Sequence, residues 1–76
     1  MNKVDVLVGD IIKQRRRELR MTQTQLGNKV GIAYSTLACY EKGIRGMNLN
    51  IFFDLCKALR LDPNDVQRQV YQQIKE

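Results

Sequence analysis

An all-α fold, a compact bundle of five short helices, is predicted by three observations. No run of β-branched residues alternates with polar ones over a useful length. Apolar residues instead recur at the three- and four-residue intervals of a helix face in five separate segments. Each segment is bounded by residues suited to a helix end, and the single proline, Pro63, stands where a helix can begin. A chain of 76 residues makes one small domain, burying only roughly 60% of its unfolded-state surface. Residues 1–76 are therefore read as one domain, without linker, repeat or low-complexity segment.

The elements follow in order. In "DVLVGDIIKQRRREL", Val8, Ile11, Ile12 and Leu19 form one helical stripe, with Asp5 as the expected N-cap. Gly9 weakens this first helix by about 1 kcal/mol relative to Ala, so it marks a close helix contact. Thr22 caps a second, short helix holding Leu26 and Val30, which Gly31 ends as a left-handed C-cap. A third helix runs from Tyr34 to Lys42 and stops at Gly43, before the loop "GIRGM". Asn48 caps a fourth, whose expected apolar side is Leu49, Phe52, Phe53, Leu55, Cys56 and Leu59. "LDPNDV" opens the fifth: Asp62 caps it and Pro63 takes the first helical position, where its missing N–H costs nothing. Val66, Val70 and Ile74 continue that helix at a spacing of four.

Charge narrows the classes of function. The net charge is +5, and its distribution is uneven: residues 13–45 hold eight basic side chains against two acidic ones, whereas the segments on either side are nearly balanced. A cationic middle points to a polyanion, either nucleic acid or an acidic membrane surface, or else to a plain solvated helix face. No segment approaches the roughly 20 apolar residues of a membrane span and no leader pattern opens the chain, so a cytoplasmic protein is expected. Without histidine, a Ser–His–Asp catalytic set is excluded, and Asp62 and Asp65 read as cap and first-turn residues. Cys39 and Cys56 lie in helical patterns with no CxxC, which fits neither a disulfide framework nor a metal site. No catalysis, no cofactor, no metal and no small-molecule ligand are expected.

The informative stretch is "QTQLGNKVGIAYSTLACYE", residues 23–41. Its apolar residues Leu26, Val30, Ile32, Leu37 and Tyr40, with Gly31 between Val30 and Ile32, describe two short helices crossing steeply over a tight turn. Leu37 and Tyr40 fix the inner face of the second of these. Tyr34, Ser35, Ala38, Cys39 and Lys42 then point away. Except at Lys42 that outer face is bare of charge, although solvated helices ordinarily carry Lys, Glu and Arg there. A generic helical hairpin would explain the crossing, and a protein-binding patch would explain the bare face.

With "TQTQLGNKVGI", "YEKG" and "LNIFFDLCKALRLDPNDV", the chain resembles the Cro/repressor-type (lambda-repressor-like, XRE) helix-turn-helix family of transcription regulators, from about residue 8 to about residue 66. The resemblance implies a five-helix bundle with a helix-turn-helix at about 22–42, formed by helices 2 and 3. The third helix would enter the major groove of double-stranded DNA, in a homodimer on a near-palindromic operator. An uncharged face suits that task, because hydrogen-bonding and small apolar groups discriminate base edges while simple charge mostly does not.

Site residues follow from the same resemblance. Tyr34, Ser35 and Cys39 match positions that touch bases, and Thr36 is grouped with them. Gln23 matches a glutamine that contacts a phosphate and braces the third helix. Thr22, Lys42 and Arg45 complete the phosphate contacts. Arg16 and Glu41 match a pair that joins the first helix to the end of the third, a structural salt bridge suited to the planar fork of Arg. Two departures stand out: Ala33 takes the cap position of the third helix, where it can offer no side-chain acceptor, and Cys39 replaces a long polar side chain. The function expected is promoter occupancy by a small dimeric repressor, its dimer surface on the fourth and fifth helices among Phe53, Val70, Tyr71 and Ile74. The alternative is an antitoxin or anti-repressor-like protein-interaction module, with or without DNA binding of its own.

Overall fold

The computed structural model describes residues 2–75, which form five helices and no strand. They are α1 (Lys3–Glu18), α2 (Gln23–Val30), α3 (Tyr34–Lys42), α4 (Leu49–Leu59) and α5 (Pro63–Ile74). Local chemistry sets most of the boundaries. Thr22 and Gln25 form a reciprocal capping box, with Gln25 N–H donating to Thr22 Oγ1 at 3.0 Å and Thr22 N–H to Gln25 Oε1 at 2.8 Å. Asn48 Oδ1 accepts from Ile51 N–H at 2.8 Å, and Asp62 Oδ1 from Asn64 N–H at 2.9 Å ahead of Pro63. Gly31 closes α2 at φ 75°, a left-handed conformation that costs glycine little.

One expected cap is corrected. Asn2, not Asp5, caps α1, its Oδ1 accepting from Val4 N–H at 2.7 Å and from Asp5 N–H at 3.4 Å. The helix begins earlier because Asn2 is already extended and supplies the acceptor. Asp5 falls in the first turn instead, where its carboxylate faces the positive end of the helix dipole.

Two apolar clusters hold the bundle. Ile12, Leu26, Leu37, Leu55 and Leu59 are fully buried where α1, α2, α3 and α4 meet. Phe52, Cys56, Val66 and Val70 join α4 to α5, and Val8, Met47 and Leu61 pack against both groups. Each fully buried leucine contributes roughly 1.5–3 kcal/mol over its exposed state. Several residues of the expected apolar faces are exposed, two of them, Phe53 and Ile74, also offered by the sequence as dimer surface. Leu49 is 66% exposed and Phe53 47% exposed, because the buried arc of α4 is Phe52, Leu55, Cys56 and Leu59. Phe53 lies about 60° of helix rotation beyond Cys56, the near edge of that arc. Leu19 lies beyond the end of α1 and Ile74 beyond the reach of the core, and both are exposed. Val70 is buried in the α4–α5 cluster, where it also lines the groove between α1, α4 and α5.

Gly9 behaves as expected. A Cβ there would meet Tyr40 O and would lie 2.8 Å from Glu41 O, so the backbones of α1 and α3 touch directly. That contact seats the C-terminal half of α3 against the centre of α1.

Cys56 is buried within the α4–α5 cluster. Burial, reinforced by the Asp62 carboxylate, pushes its thiol up from an ordinary 9.0 to about 11. The unfolded chain therefore loses this proton first. The stability tied to it is intact below about pH 9 and declines between about pH 9 and 11. At pH 8 a thiol reagent is expected to label half-buried Cys39 in the native protein and Cys56 only after denaturant. Equal native labelling would show that the α4–α5 core opens readily.

Candidate nucleic-acid interface

α3 presents two faces of opposite character. Inward lie Leu37, Tyr40 and Glu41, all buried. Outward lie Tyr34, which is 61% exposed, together with exposed Ser35 and Lys42. Ala38 and Cys39 are half-buried on the same side, one turn beyond Tyr34 and Ser35. Thr36 departs from this line: it is half-buried on the flank that carries Tyr40, four residues on. No side chain caps α3 at Ala33, so its first turn rests on backbone bonds such as Leu37 N–H to Ala33 O at 3.1 Å.

A buried ionic hub fixes the tilt of this helix. Arg16 on α1 engages Glu41 in two places, Nε to Oε2 at 2.7 Å and Nη2 to Oε1 at 3.0 Å. Its remaining nitrogen, Nη1, donates to Met21 O at 2.8 Å in the α1–α2 turn. Gln23 Nε2 donates to Glu41 Oε1 at 3.1 Å, so α1, the start of α2 and the end of α3 converge on one carboxylate. Arg16 is only 8% exposed and Glu41 5%, and among the described residues no buried polar side-chain atom lacks a partner. Full satisfaction is what allows two charges to be held out of water.

The hub thus brings the start of α2, with Thr22 and Gln23, against the end of α3. Gln23 is tied to the residue beside Lys42, and Thr22 stands next to Gln23 at the start of α2. Arg45, in the loop after α3, lays its guanidinium 5.7 Å from the centroid of the buried Tyr40 ring, a cation–π contact. That contact was not legible in the sequence, where Tyr40 reads only as core. Arg15 was missed as well. Its Nε donates to Leu59 O at 2.9 Å and its Nη1 pairs with Glu18 Oε1 at 3.2 Å. It ties α1 to the C-terminal end of α4. Arg17 is exposed.

No described helix is long and apolar enough to cross a membrane. Among the described residues no group of histidine, cysteine or acidic side chains could hold a metal ion.

Comparison with known proteins gives a consistent picture. The chain is 36% identical over 63 residues to an uncharacterised HTH-type transcriptional regulator of Sinorhizobium fredii, covering 83% of this chain and 44% of that protein. It is 30% identical over 59 residues to an uncharacterised transcriptional regulator in the ATPase CF(0) region of Rhodospirillum rubrum, covering 78% and 55%. It therefore spans about half the length of these relatives. The crystal structure of the clp gene regulator ClgR from C. glutamicum superposes with a TM-score of 0.83 over 93% of this chain and 92% of that one. At 17% identity that likeness shows the shared fold. The helix-turn-helix family pattern matches residues 12–66, a span that takes in the Arg16–Glu41 hub and the outer side of α3, and the chain belongs to this Cro/C1-type helix-turn-helix family.

Proposed function

We propose that this chain binds double-stranded DNA sequence-specifically and regulates transcription, as a repressor that occupies a promoter as a dimer on a near-palindromic operator. The observation that carries this is the outward side of α3: exposed at Tyr34, Ser35 and Lys42, half-buried at Ala38 and Cys39, without acidic residues, and mounted on a buried hub. In this reading Tyr34 and Ser35 offer hydroxyls to base edges. Cys39, with Ala38 beside it, offers a small surface to a thymine methyl, and Thr36 reaches the groove wall from the flank. Gln23, Thr22, Lys42 and Arg45 meet the phosphates, Gln23 with the amide hydrogen that Glu41 leaves free. Phosphate contacts supply most of the affinity and make it steeply dependent on salt.

A homodimer places two reading helices about 34 Å apart, one turn of B-DNA. The surface best suited to it is the groove between α1, α4 and α5, lined by Val4, Val8, Phe52, Val66, Tyr71 and Ile74. Tyr71 is 62% exposed there and Val4 39%, more apolar surface than the two clusters use. The same groove supports a second reading, in which the chain docks a protein partner as an antitoxin or anti-repressor.

Two measurements separate these readings. Binding to random duplex DNA is expected to weaken steeply with salt, and selection from a random duplex pool is expected to return a palindromic consensus that protects Cys39 from alkylation. A chain that shows no salt dependence and no sequence preference is an interaction module only.

A further inference from the structure

Among the described residues, two other than glycine adopt positive φ, and both are arginines: Arg20 at 57° and Arg60 at 55°. Cβ crowds the carbonyl oxygen in this region, and glycine would occupy either position without that strain. The turn at Arg20 is closed by three backbone bonds, Leu19 N–H to Arg15 O, Arg20 N–H to Arg17 O and Met21 N–H to Arg16 O, all at 3.0–3.1 Å, and by the Arg16 Nη1 bond to Met21 O, none of which involves the Arg20 side chain. Nothing in its construction calls for a guanidinium. The nearby carboxylates are already engaged, Glu18 by Arg15 and Glu41 by Arg16. The Arg20 side chain is exposed and pairs with none of the described residues.

The two turns are tied to different arginines of α1. Arg60 follows Leu59, whose carbonyl oxygen receives Arg15 Nε, on the side of α4 and α5. Arg20 precedes Met21, whose carbonyl oxygen receives Arg16 Nη1, and so stands beside the Arg16–Glu41–Gln23 hub at the end of α3. We propose that Arg20 is a further phosphate-contacting residue, its backbone strain retained because its guanidinium extends the cationic rim of the reading face beyond Gln23 and Thr22. This rests on the DNA-binding reading above. Nothing in the structure explains an arginine at Arg60, which makes that position the internal control.

The test compares the parent chain with Arg20→Gly, Arg20→Gln and Arg60→Gly for thermal stability and for binding to random duplex DNA across a salt series. Relief of strain is expected to raise the Tm of both glycine variants, by up to about 5 °C. Arg20→Gly and Arg20→Gln are expected to bind about three- to fivefold more weakly per bound copy, with the salt slope reduced by about 0.9. Arg60→Gly keeps the parent affinity and slope. Unchanged binding by both Arg20 variants, while the parent binds with a steep slope, overturns the role of Arg20 and leaves the DNA-binding reading standing. Parent protein that shows no salt-dependent binding overturns that reading and this role together.

Discussion

Glu41→Ala is expected to lower the Tm by on the order of 15–30 °C. The substitution leaves the Arg16 guanidinium buried at 8% exposure with its two carboxylate bonds gone. Breaking one side of a buried pair costs about 3–5 kcal/mol. In a domain of this size each kcal/mol moves the midpoint by about 4–8 °C. Gln23 loses its partner in the same step, so the start of α2 loosens with the end of α3. Tyr34→Ala supplies the contrast: its ring is 61% exposed and the change is expected to leave the Tm nearly unmoved while weakening operator binding. A double change, Arg16→Met with Glu41→Leu, is expected to recover much of the lost stability, since an apolar pair of similar volume needs no desolvation of charge. Equal Tm losses from Glu41→Ala and Tyr34→Ala would refute this division between the mount of α3 and its reading side.

The second large effect is expected at Gly9. Alanine raises helix propensity by about 1 kcal/mol, yet Gly9→Ala is expected to destabilise the protein. Its methyl group would press on Tyr40 O and Glu41 O, which are backbone atoms and cannot rotate aside. α1 and α3 would have to separate, an overpacking that costs about 1–3 kcal/mol and occasionally more. The loss is therefore expected both in Tm and in DNA affinity measured well below the Tm, because the displaced helix is the one proposed to read DNA. A higher Tm for Gly9→Ala would show that the two backbones have room to spare.

What was legible in the sequence is what local chemistry decides. Thr22, Asn48 and Asp62 announce helix starts because their side chains accept the orphan N–H groups, and Gly31 and Gly43 announce ends at positive φ. The outward side of α3, proposed above to meet DNA, was marked in the sequence by a missing feature, the lack of charge from Tyr34 to Cys39. Asn2 escaped because an acidic residue three positions later offered an equally good cap. Leu49 and Phe53 escaped because α4 is apolar around most of its circumference, so spacing alone could not say which arc faces inward. Arg15, Arg20 and Arg60 were illegible for a deeper reason: a guanidinium carries no signal of which distant carbonyl it meets or which backbone basin it occupies. The placement of Arg45 over Tyr40 depends likewise on the path of the loop between them.

The hub at Glu41 has one further consequence. Orientation and vocabulary are held by separate sets of atoms in α3, since Tyr34, Ser35 and Cys39 contribute no side-chain bond to the bundle while Leu37, Tyr40 and Glu41 anchor it. Such a chain is retunable: a library randomised at positions 34, 35 and 39 should remain folded nearly throughout, letting new target preferences arise without a detour through collapsed intermediates.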